Sequence, residues 1–295
     1  MRFKARISND KLNHFHAVLV TLEKISSKCI IHLSSERILI SGLKDPKLED
    51  VMPYADLSKD IFTDWKIESQ SDNCILFEVS LQNILDALTS AKKAPVCQMK
   101  LTKRNGIPVL CLETRAMEID IVHDIRVTIM AASDYEHYRP PETPLPQVQL
   151  ELPTTKGFKI IIDRLKNMSR NLYLHGKMSG ALTLRVETEG VAIKTFFTNL
   201  SPRYESLDPD TCMGNKCTVK VDSRKLSMLL HAYVCLRFNS IVLCMIPNHS
   251  VILHILLEPV SDGFLTFFLP IVPTCGEVSE EEEDDNDNAY FSGDE

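Results

Sequence analysis

The chain has 295 residues, of which 44% are hydrophobic and 25% are charged, the proportions of a globular protein with room for two domains. No apolar run approaches the ~20 residues that a membrane-spanning helix needs, so we expect no membrane partner. The net charge of −7 is unevenly spread, because residues 276–295 hold ten carboxylates and no Lys or Arg, and the remaining residues carry a net charge of +3. The composition of 276–295 predicts a disordered acidic tail.

In the first half, apolar residues at helical spacing predict helices at 9–26 and 80–93, with Asn9 or Asp10 as the cap of the first. Residues 44–57 are expected to be irregular, and Asn105-Gly106 is a strong hairpin signal. Alternation of apolar and polar residues predicts strands at 2–8, 29–33, 37–41, 61–67, 74–79, 98–103, 109–115, 117–121 and 127–130.

Four prolines between 140 and 146 cannot lie inside a sheet or a helix, so residues 131–147 are predicted to be an extended connector. Beyond it we expect helices at 154–170, capped by Thr154 or Thr155, and at 223–235, with a polar loop at 201–215. Strands are predicted at 148–152, 172–177, 181–187, 191–198, 216–221, 240–246, 250–258 and 264–270.

The two halves resemble each other. The apolar positions of the first helix, Leu12, Phe15, Leu19 and Leu22, each lie 146 residues before those of the third, Phe158, Ile161, Leu165 and Met168. A repeat this long indicates a duplicated domain. We therefore predict an α+β protein with two similar domains, 1–130 and 148–275, joined by the connector 131–147 and followed by the tail 276–295.

Sequence motifs of common enzymes are missing. The chain contains no GxGxxG, GxxxxGK[ST], HExxH or GxSxG, and its nine cysteines include no CxxC pair. We therefore expect a non-enzymatic protein with no cofactor and no metal site. An odd number of scattered cysteines is typical of reduced thiols, and the N-terminus lacks the apolar stretch of a secretory signal, so we expect a nuclear or cytoplasmic location.

The sequence resembles a sliding DNA clamp, and within that superfamily the Hus-type subunit of the 9-1-1 DNA-damage checkpoint clamp. The matching blocks are MRFKARI with LNHF near the N-terminus, IVHDI (121–125), DRLKNMSRNL (163–172), LTLRVET (182–188), DSRKL (222–226) and FFLP (267–270). The resemblance implies outer antiparallel sheets, four inner helices, and a ring of three different subunits around double-stranded DNA. It also implies the two other 9-1-1 subunits, a clamp loader, and repair and checkpoint proteins as partners.

Two other classes of function remain open from the sequence. A homotrimeric replication processivity clamp would have the same fold but a different assembly. An interaction module that never encircles DNA is also compatible with the modest number of basic residues on the helices.

Basic residues on the exposed sides of the helices are the candidates for contact with DNA phosphates on the inner face of the ring. The centre of the exposed side of the third helix is expected near Ile160, Asp163 and Asn167. The candidates, for which ordinary solvation is the alternative, are Lys24, Lys92, Lys93, Lys156, Arg164, Arg170 and Arg224.

Ring closure is expected at two edge strands, 115–121 and 191–198, since an edge readily accepts a strand from another chain. The candidate interface residues are Met117, Ile119, Ile121, Ile193 and Phe196, and the alternative is that they face the core. A partner pocket is expected under the connector and beside the tail, formed by Met130, Tyr135, Tyr138, Pro270 and Ile271.

Overall fold

The computed structural model describes residues 1–43, 51–116, 119–204, 214–258 and 263–273. Its first half contains two helices and ten strands. In chain order these are β1 (Arg2–Ser8), α1 (Asn9–Glu23), β2 (Lys28–Leu33), β3 (Arg37–Gly42), β4 (Met52–Ser58), β5 (Thr63–Glu68), β6 (Ile75–Ser80), α2 (Leu81–Ala91), β7 (Val96–Arg104), β8 (Ile107–Ala116), β9 (Ile119–Arg126) and β10 (Thr128–Met130).

The second half repeats this pattern after a connector that contains a 3-10 helix, Ala132–Tyr138. Its elements are β11 (Val148–Glu151), α3 (Gly157–Leu165), β12 (Asn171–Lys177), β13 (Ala181–Glu187), β14 (Ala192–Phe197), β15 (Ser201–Pro202), β16 (Lys216–Asp222), α4 (Ser223–Leu229), α5 (Ala232–Cys235), β17 (Phe238–Ile246), β18 (Ser250–Leu257) and β19 (Phe264–Pro270).

Several predicted boundaries are wrong. The third helix begins at Gly157 with Lys156 as its cap residue, not at Thr154 or Thr155. The predicted helix 223–235 is two short helices, because Leu230 leaves the helical conformation with a ψ of 1°. The described part of the region predicted to be irregular forms β4. The tail 276–295 and most of the loop 201–215 lie outside the described residues.

One ten-stranded sheet runs through both halves, in the order β10-β6-β2-β3-β4-β19-β18-β17-β11-β15. Its centre is the antiparallel pairing of β4 with β19, which extends from Phe264 opposite Asp56 to Phe268 opposite Met52. β10 ends at Met130 and β11 begins at Val148. The division into the domains 1–130 and 148–275 stays a prediction, since this sheet is shared by both halves.

Each half also has a sheet of its own. The first half contributes a five-stranded sheet, β5-β1-β7-β8-β9, and the second a four-stranded sheet, β14-β13-β12-β16. The inner faces of all three sheets and the apolar faces of the helices share one hydrophobic core. We call the opposite face of each sheet its outer face.

The helices form a single layer that spans both halves. α1 packs against α2, α3 packs against α4, and α1 also contacts α5 across the junction between the halves. Tyr233 of α5 donates a hydrogen bond of 2.7 Å to the carbonyl oxygen of Pro153, which fixes α5 near the start of α3. The exposed sides of the four predicted helical segments therefore belong to one continuous surface, which we call the helical face.

A polar network around Asp163 joins α3 to α4. Its Oδ1 accepts hydrogen bonds from Ser227 Oγ at 2.6 Å and from Lys166 Nζ at 2.9 Å, and its Oδ2 accepts one from Lys159. Burial of the carboxyl group would raise its pKa, but the hydrogen bonds from Lys159, Ser227 and Lys166 outweigh burial and lower it to about 2. Asp163 is half-buried. The prediction that it lies at the centre of the exposed side of α3 is wrong.

We expect Phe267→Ala to lower the free energy of unfolding by about 3–5 kcal/mol, because Phe267 is fully buried on the inner face of β19 and its loss leaves a cavity. Phe268→Ala is the matched control. This neighbour is half-buried on the outer face, and we expect a loss of about 1–2 kcal/mol. Denaturant unfolding of the three proteins tests this, and equal losses would contradict the assignment of the two faces.

We expect Asp163→Asn to lower stability by about 1–2 kcal/mol at pH 7, because the amide cannot neutralise two lysines. The pKa of Asp163 in the folded chain lies below its ordinary value of 3.8, so the carboxylate stabilises the fold above about pH 4 and this contribution disappears as the pH falls toward about 2. The difference between wild type and variant should shrink over that range.

The control is Asp86→Asn, which removes the same charge at an exposed position of α2. It should change stability by less than about 0.5 kcal/mol. A loss at Asp163 that does not depend on pH, or an equal loss at Asp86, would show that the network does not stabilise the fold. Denaturant unfolding between pH 7 and about pH 2 makes the comparison.

Candidate functional site

Basic side chains are concentrated on the α3–α4 part of the helical face. Lys156, Ile160 and Arg164 follow each other at intervals of four residues, which places them on one side of the helix, and all three are exposed. Beside them is a cleft lined by Lys166, Asn167, Arg224 and Met228. The structure thus brings together the predicted phosphate contacts Lys156, Arg164 and Arg224 on one surface.

Arg170 lies at the end of this surface and also forms an ion pair within the fold. Its Nε donates to Asp222 Oδ2 at 2.7 Å, while Asp222 Oδ1 accepts from the backbone N–H groups of Arg224 and Lys225 and so caps α4. Burial would raise the pKa of Asp222, but these hydrogen bonds outweigh it and lower the pKa. The side chain of Arg170 is still 72% exposed, so its charge is partly compensated but accessible.

Two basic residues near this surface serve the fold. Lys159 is only 15% exposed, and both Lys159 and Lys166 are bonded to Asp163. Lys166 also donates to Ser227 Oγ of α4 at 2.8 Å, and both lysines contribute less charge to the helical face than their spacing suggests. Their positions four and three residues from Asp163 are a local signal that sequence reasoning missed. The bond from Ser227, 64 residues from Asp163, has no such signal.

The first half contributes fewer cations. The residues of α2 from Leu81 to Ala91 include no Lys or Arg, and its exposed side carries Asp86. Lys92 follows the helix, but its Nζ lies 3.1 Å from His16 Nδ1 in the seam between α1 and α2. Burial and Lys92 both lower the pKa of His16. Lys93 is exposed, and Lys24 lies 3.3 Å from Glu23 at the end of α1.

The two candidate edges are edges of their sheets. β9 pairs with β8 alone and β14 pairs with β13 alone within the described residues. Ile119 of β9 is 65% exposed and Phe196 of β14 is 57% exposed, as a contact with another chain requires. Arg115 and Ala116 belong to β8, which is flanked on both sides, so the predicted range 115–121 includes two residues that are not at the edge.

The other interface candidates differ from these two. Ile193 is half-buried and packs against the core, because it is separated by three residues from Phe196 and successive residues of a strand face opposite sides. Ile121 is half-buried, and Met117 lies outside the described residues. Sequence reasoning missed Val122, which is 50% exposed on β9 and which alternation along the strand could have identified.

The connector crosses the outer face of the ten-stranded sheet. Tyr135 stacks on His32 of β2 with ring centroids 4.1 Å apart, and the guanidinium of Arg139 covers Tyr135 at 5.1 Å. Ser41 Oγ of β3 donates to the carbonyl oxygen of Tyr138 at 2.8 Å, and Tyr54 of β4 donates to that of Arg139 at 3.1 Å. The connector is therefore attached to three successive strands.

The predicted partner pocket is divided by this arrangement. Met130 lies on β10 and Pro270 on β19, five strands apart in the sheet, which corresponds to about 24 Å. Ile271 packs against the core. The apolar outer surface near the connector is instead formed by Tyr138, Pro270 and two residues that sequence reasoning missed, Tyr54 and Phe268, whose rings are 5.6 Å apart.

The described residues contain no helix long and apolar enough to cross a membrane and no cluster of three or more His, Cys, Asp or Glu side chains that could hold a metal ion. The seven cysteines within them are thiols. Burial raises the pKa of Cys97 to about 12 and that of Cys217 to about 11, so these thiols are protonated at neutral pH.

Comparison with solved structures identifies the fold. The structure matches the sliding clamp PCNA from Thermococcus kodakaraensis with a TM-score of 0.69 and 16% identity over 92% of this chain and 100% of that one. Proliferating cellular nuclear antigen from Entamoeba histolytica matches with a TM-score of 0.70 and 12% identity over 92% and 99% of the two chains. The predicted sliding-clamp fold is confirmed.

Sequence comparison identifies the family. The chain is 30% identical to the checkpoint protein hus1 homolog of Dictyostelium discoideum over 92% of this chain and 99% of the relative. It is 26% identical to human checkpoint protein HUS1, again over 92% and 99%, and 28% identical to checkpoint protein hus1 of Schizosaccharomyces pombe over 91% and 98%. The family model described as Hus1-like protein matches residues 1–273, and the chain therefore belongs to the Hus1-like family.

Proposed function

We propose that the chain is a non-enzymatic subunit of the heterotrimeric 9-1-1 clamp, which encircles double-stranded DNA at damage sites in the nucleus. The observation that supports this most directly is the match to Hus1-like protein over residues 1–273, in a chain whose helices form one continuous face. In this proposal two other subunits complete the ring, a clamp loader opens it, and checkpoint and repair proteins bind its outer surface.

The helical face would contact DNA without reading its sequence. Lys and Arg side chains attract phosphates wherever they occur along the duplex, and such contacts weaken as salt rises. The exposed residues Lys156, Arg164 and Arg224 would give most of this attraction to the second half. The first half, with Asp86 on α2, would lie near the duplex with little attraction of its own.

Retention would depend on topology rather than on tight binding. A ring that must move along DNA should carry only a few exposed cations. Each additional phosphate contact strengthens the complex with DNA and slows its movement. The sharing of Lys159 and Lys166 with Asp163 reduces the charge available for phosphate and is compatible with such weak contact.

A homotrimeric replication clamp is the alternative assembly, and the solution mass distinguishes the two. Light scattering of the purified chain at micromolar concentration should give a monomer near 33.4 kDa, with a 1:1:1 complex only after the other two subunits are added. A particle of about three times that mass, formed from this chain alone, would contradict the heterotrimer.

We expect the triple variant Lys156→Glu, Arg164→Glu and Arg224→Glu to shorten the residence of the assembled clamp on closed circular DNA. Losing three phosphate contacts should lower the slope of log affinity against log salt by about three times 0.9. Arg170 is left in place because its reversal would also remove the partner of Asp222. Retention is measured by gel filtration of preloaded clamp at increasing salt.

The matched control makes the same change in charge on the outer face of the five-stranded sheet, with Lys4→Glu, Lys66→Glu and Arg126→Glu, three exposed residues. Its retention should equal that of the wild type. Equal retention by all three proteins, or equal loss in both variants, would show that the helical face does not contact DNA.

We expect Ile119→Asp and Phe196→Asp each to weaken ring assembly by at least about ten-fold. Each substitution replaces an exposed apolar side chain of an edge strand with a charged one. Stability should be almost unchanged, since both positions are exposed. Exposed Ile160 on α3 provides the control, and Ile160→Asp should assemble normally. Titration of the other two subunits by light scattering measures the effect, and normal assembly of both edge variants would exclude these edges.

A further inference from the structure

The outer face of the four-stranded sheet is strongly basic. Residues whose neighbours along the strand point into the core project from this face, as the alternation of buried and exposed positions in β12, β13 and β16 shows. Arg185 and Lys220 are half-buried, and the other cations on this face are exposed. The full set is Lys177, Arg185, Lys194, Lys216 and Lys220.

Strand register places these cations next to one another. Lys177 of β12 is directly opposite Lys216 of β16, and Arg185 of β13 is directly opposite Lys194 of β14. Lys220 of β16 lies in the same row as the second pair, opposite Tyr173 of β12. The Nζ of Lys220 is 5.7 Å from the centroid of the Tyr173 ring. Like charges directly opposite in a sheet destabilise it, so this face is suited to a polyanion.

The five-stranded sheet provides the comparison within the same chain. Its outer face also has facing cations, since Lys4 lies opposite Lys66 and Lys100. Carboxylates accompany the cations of this face, however, in five ion pairs, Arg2–Glu68, Arg6–Asp64, Lys100–Glu113, Arg104–Asp124 and Arg115–Asp120. On the four-stranded sheet, the described strands offer Glu187, bonded to Arg185, and Asp222, which is buried and caps α4. The described part of this face is short of carboxylates.

The chain itself supplies an anionic segment that starts beside this face. The backbone N–H of Val272 donates to the carbonyl oxygen of Lys220 at 2.8 Å, so the described chain ends at Pro273 beside the edge of the four-stranded sheet. Seven residues separate Val272 from Glu280, and the eight steps between the two residues can span up to ~28 Å. The six acidic residues Glu280–Asp285 can extend over ~20 Å, more than the ~15 Å across four strands.

We propose that the acidic segment 277–287 docks on the outer face of the four-stranded sheet of its own chain, along the rows that contain Lys177, Lys216 and Lys220. Docking offsets the repulsion between the facing cations. It also covers an outer surface that would otherwise compete with the helical face for DNA phosphates, so that duplex is directed to the inside of the ring. The contact is electrostatic and reversible, and salt releases it.

The rate at which a Glu-specific protease cuts the tail of the full-length protein tests the docking. For the wild type, cleavage within Glu280–Glu283 should accelerate at least about three-fold between about 0.1 M and about 1 M salt, because the screening length falls from about 10 Å to about 3 Å. The variant Lys177→Glu, Lys216→Glu and Lys220→Glu should be cut at the fast rate already at low salt. The helical-face variant Lys156→Glu, Arg164→Glu and Arg224→Glu is the matched control and should behave like the wild type.

Binding of linear duplex DNA gives a second readout. Replacing Glu280–Glu283 with Gln should increase the affinity of the isolated chain for DNA several-fold, and the outer-face variant should abolish that increase. Equal protease rates in all three proteins, or faster cleavage in the helical-face variant alone, would overturn the proposal. An outer-face variant that loses DNA affinity without any change in tail cleavage would also overturn it, since nucleic acid would then be the occupant.

Discussion

The antiparallel ladder between β4 and β19 is the contact on which the arrangement of the two halves depends. It pairs a strand from the first half with the last strand of the described chain, from Phe264 opposite Asp56 to Phe268 opposite Met52. Backbone hydrogen bonds fix the register and the twist of paired strands within narrow limits. The halves are thereby held in one orientation, α1 meets α5 across the junction, and the exposed sides of the helices form one surface.

The positive charge exposed on the helical face depends on which basic side chains bond to carboxylates within the fold. Asp163 takes two lysines of α3 and one hydroxyl of α4 into a network that joins the helices, and Asp222 does the same for Arg170 and the start of α4. Lys156, Arg164 and Arg224 remain exposed. The stability of the α3–α4 pair and the exposed positive charge therefore depend mainly on different residues of the same two helices.

The sequence predicted those features that local patterns determine. The helical spacing of Leu12, Phe15, Leu19 and Leu22 identified α1 to within three residues at its end, and alternation identified most strands. The region containing β4 was predicted to be irregular, and it includes Pro53, a residue type that is rare in the interior of a sheet. Pro53 is accommodated because β3 pairs with β4 only from Tyr54 onward, a fact of tertiary register that no local pattern contains.

The candidate site was predicted less completely, for the same physical reason. Exposure of Ile119 and Phe196 follows from their positions on edge strands, but Ile193 and Phe196 were grouped together although three residues of separation place them on opposite faces. The ion pairs of Lys159 and Lys166 with Asp163 follow from spacings of four and three residues, but the bond from Ser227 that joins Asp163 to α4 spans 64 residues. Arg170 likewise bonds to Asp222, 52 residues away, and only the assembled structure supplies such distant partners.

The second half has two basic surfaces, the helical face and the outer face of the four-stranded sheet, and one requirement applies to both. A ring subunit must attract duplex through its helical face while its outer face, which any passing nucleic acid can reach, must not compete. The five-stranded sheet meets this with carboxylates inside its own strands, such as Glu68 and Glu113. The four-stranded sheet has few of its own, and the nearest large supply of negative charge in the sequence is the segment that follows Val272. Because an electrostatic contact with an acidic segment weakens with salt as phosphate contacts do, outer-face docking and inner-face binding would respond to ionic strength in parallel.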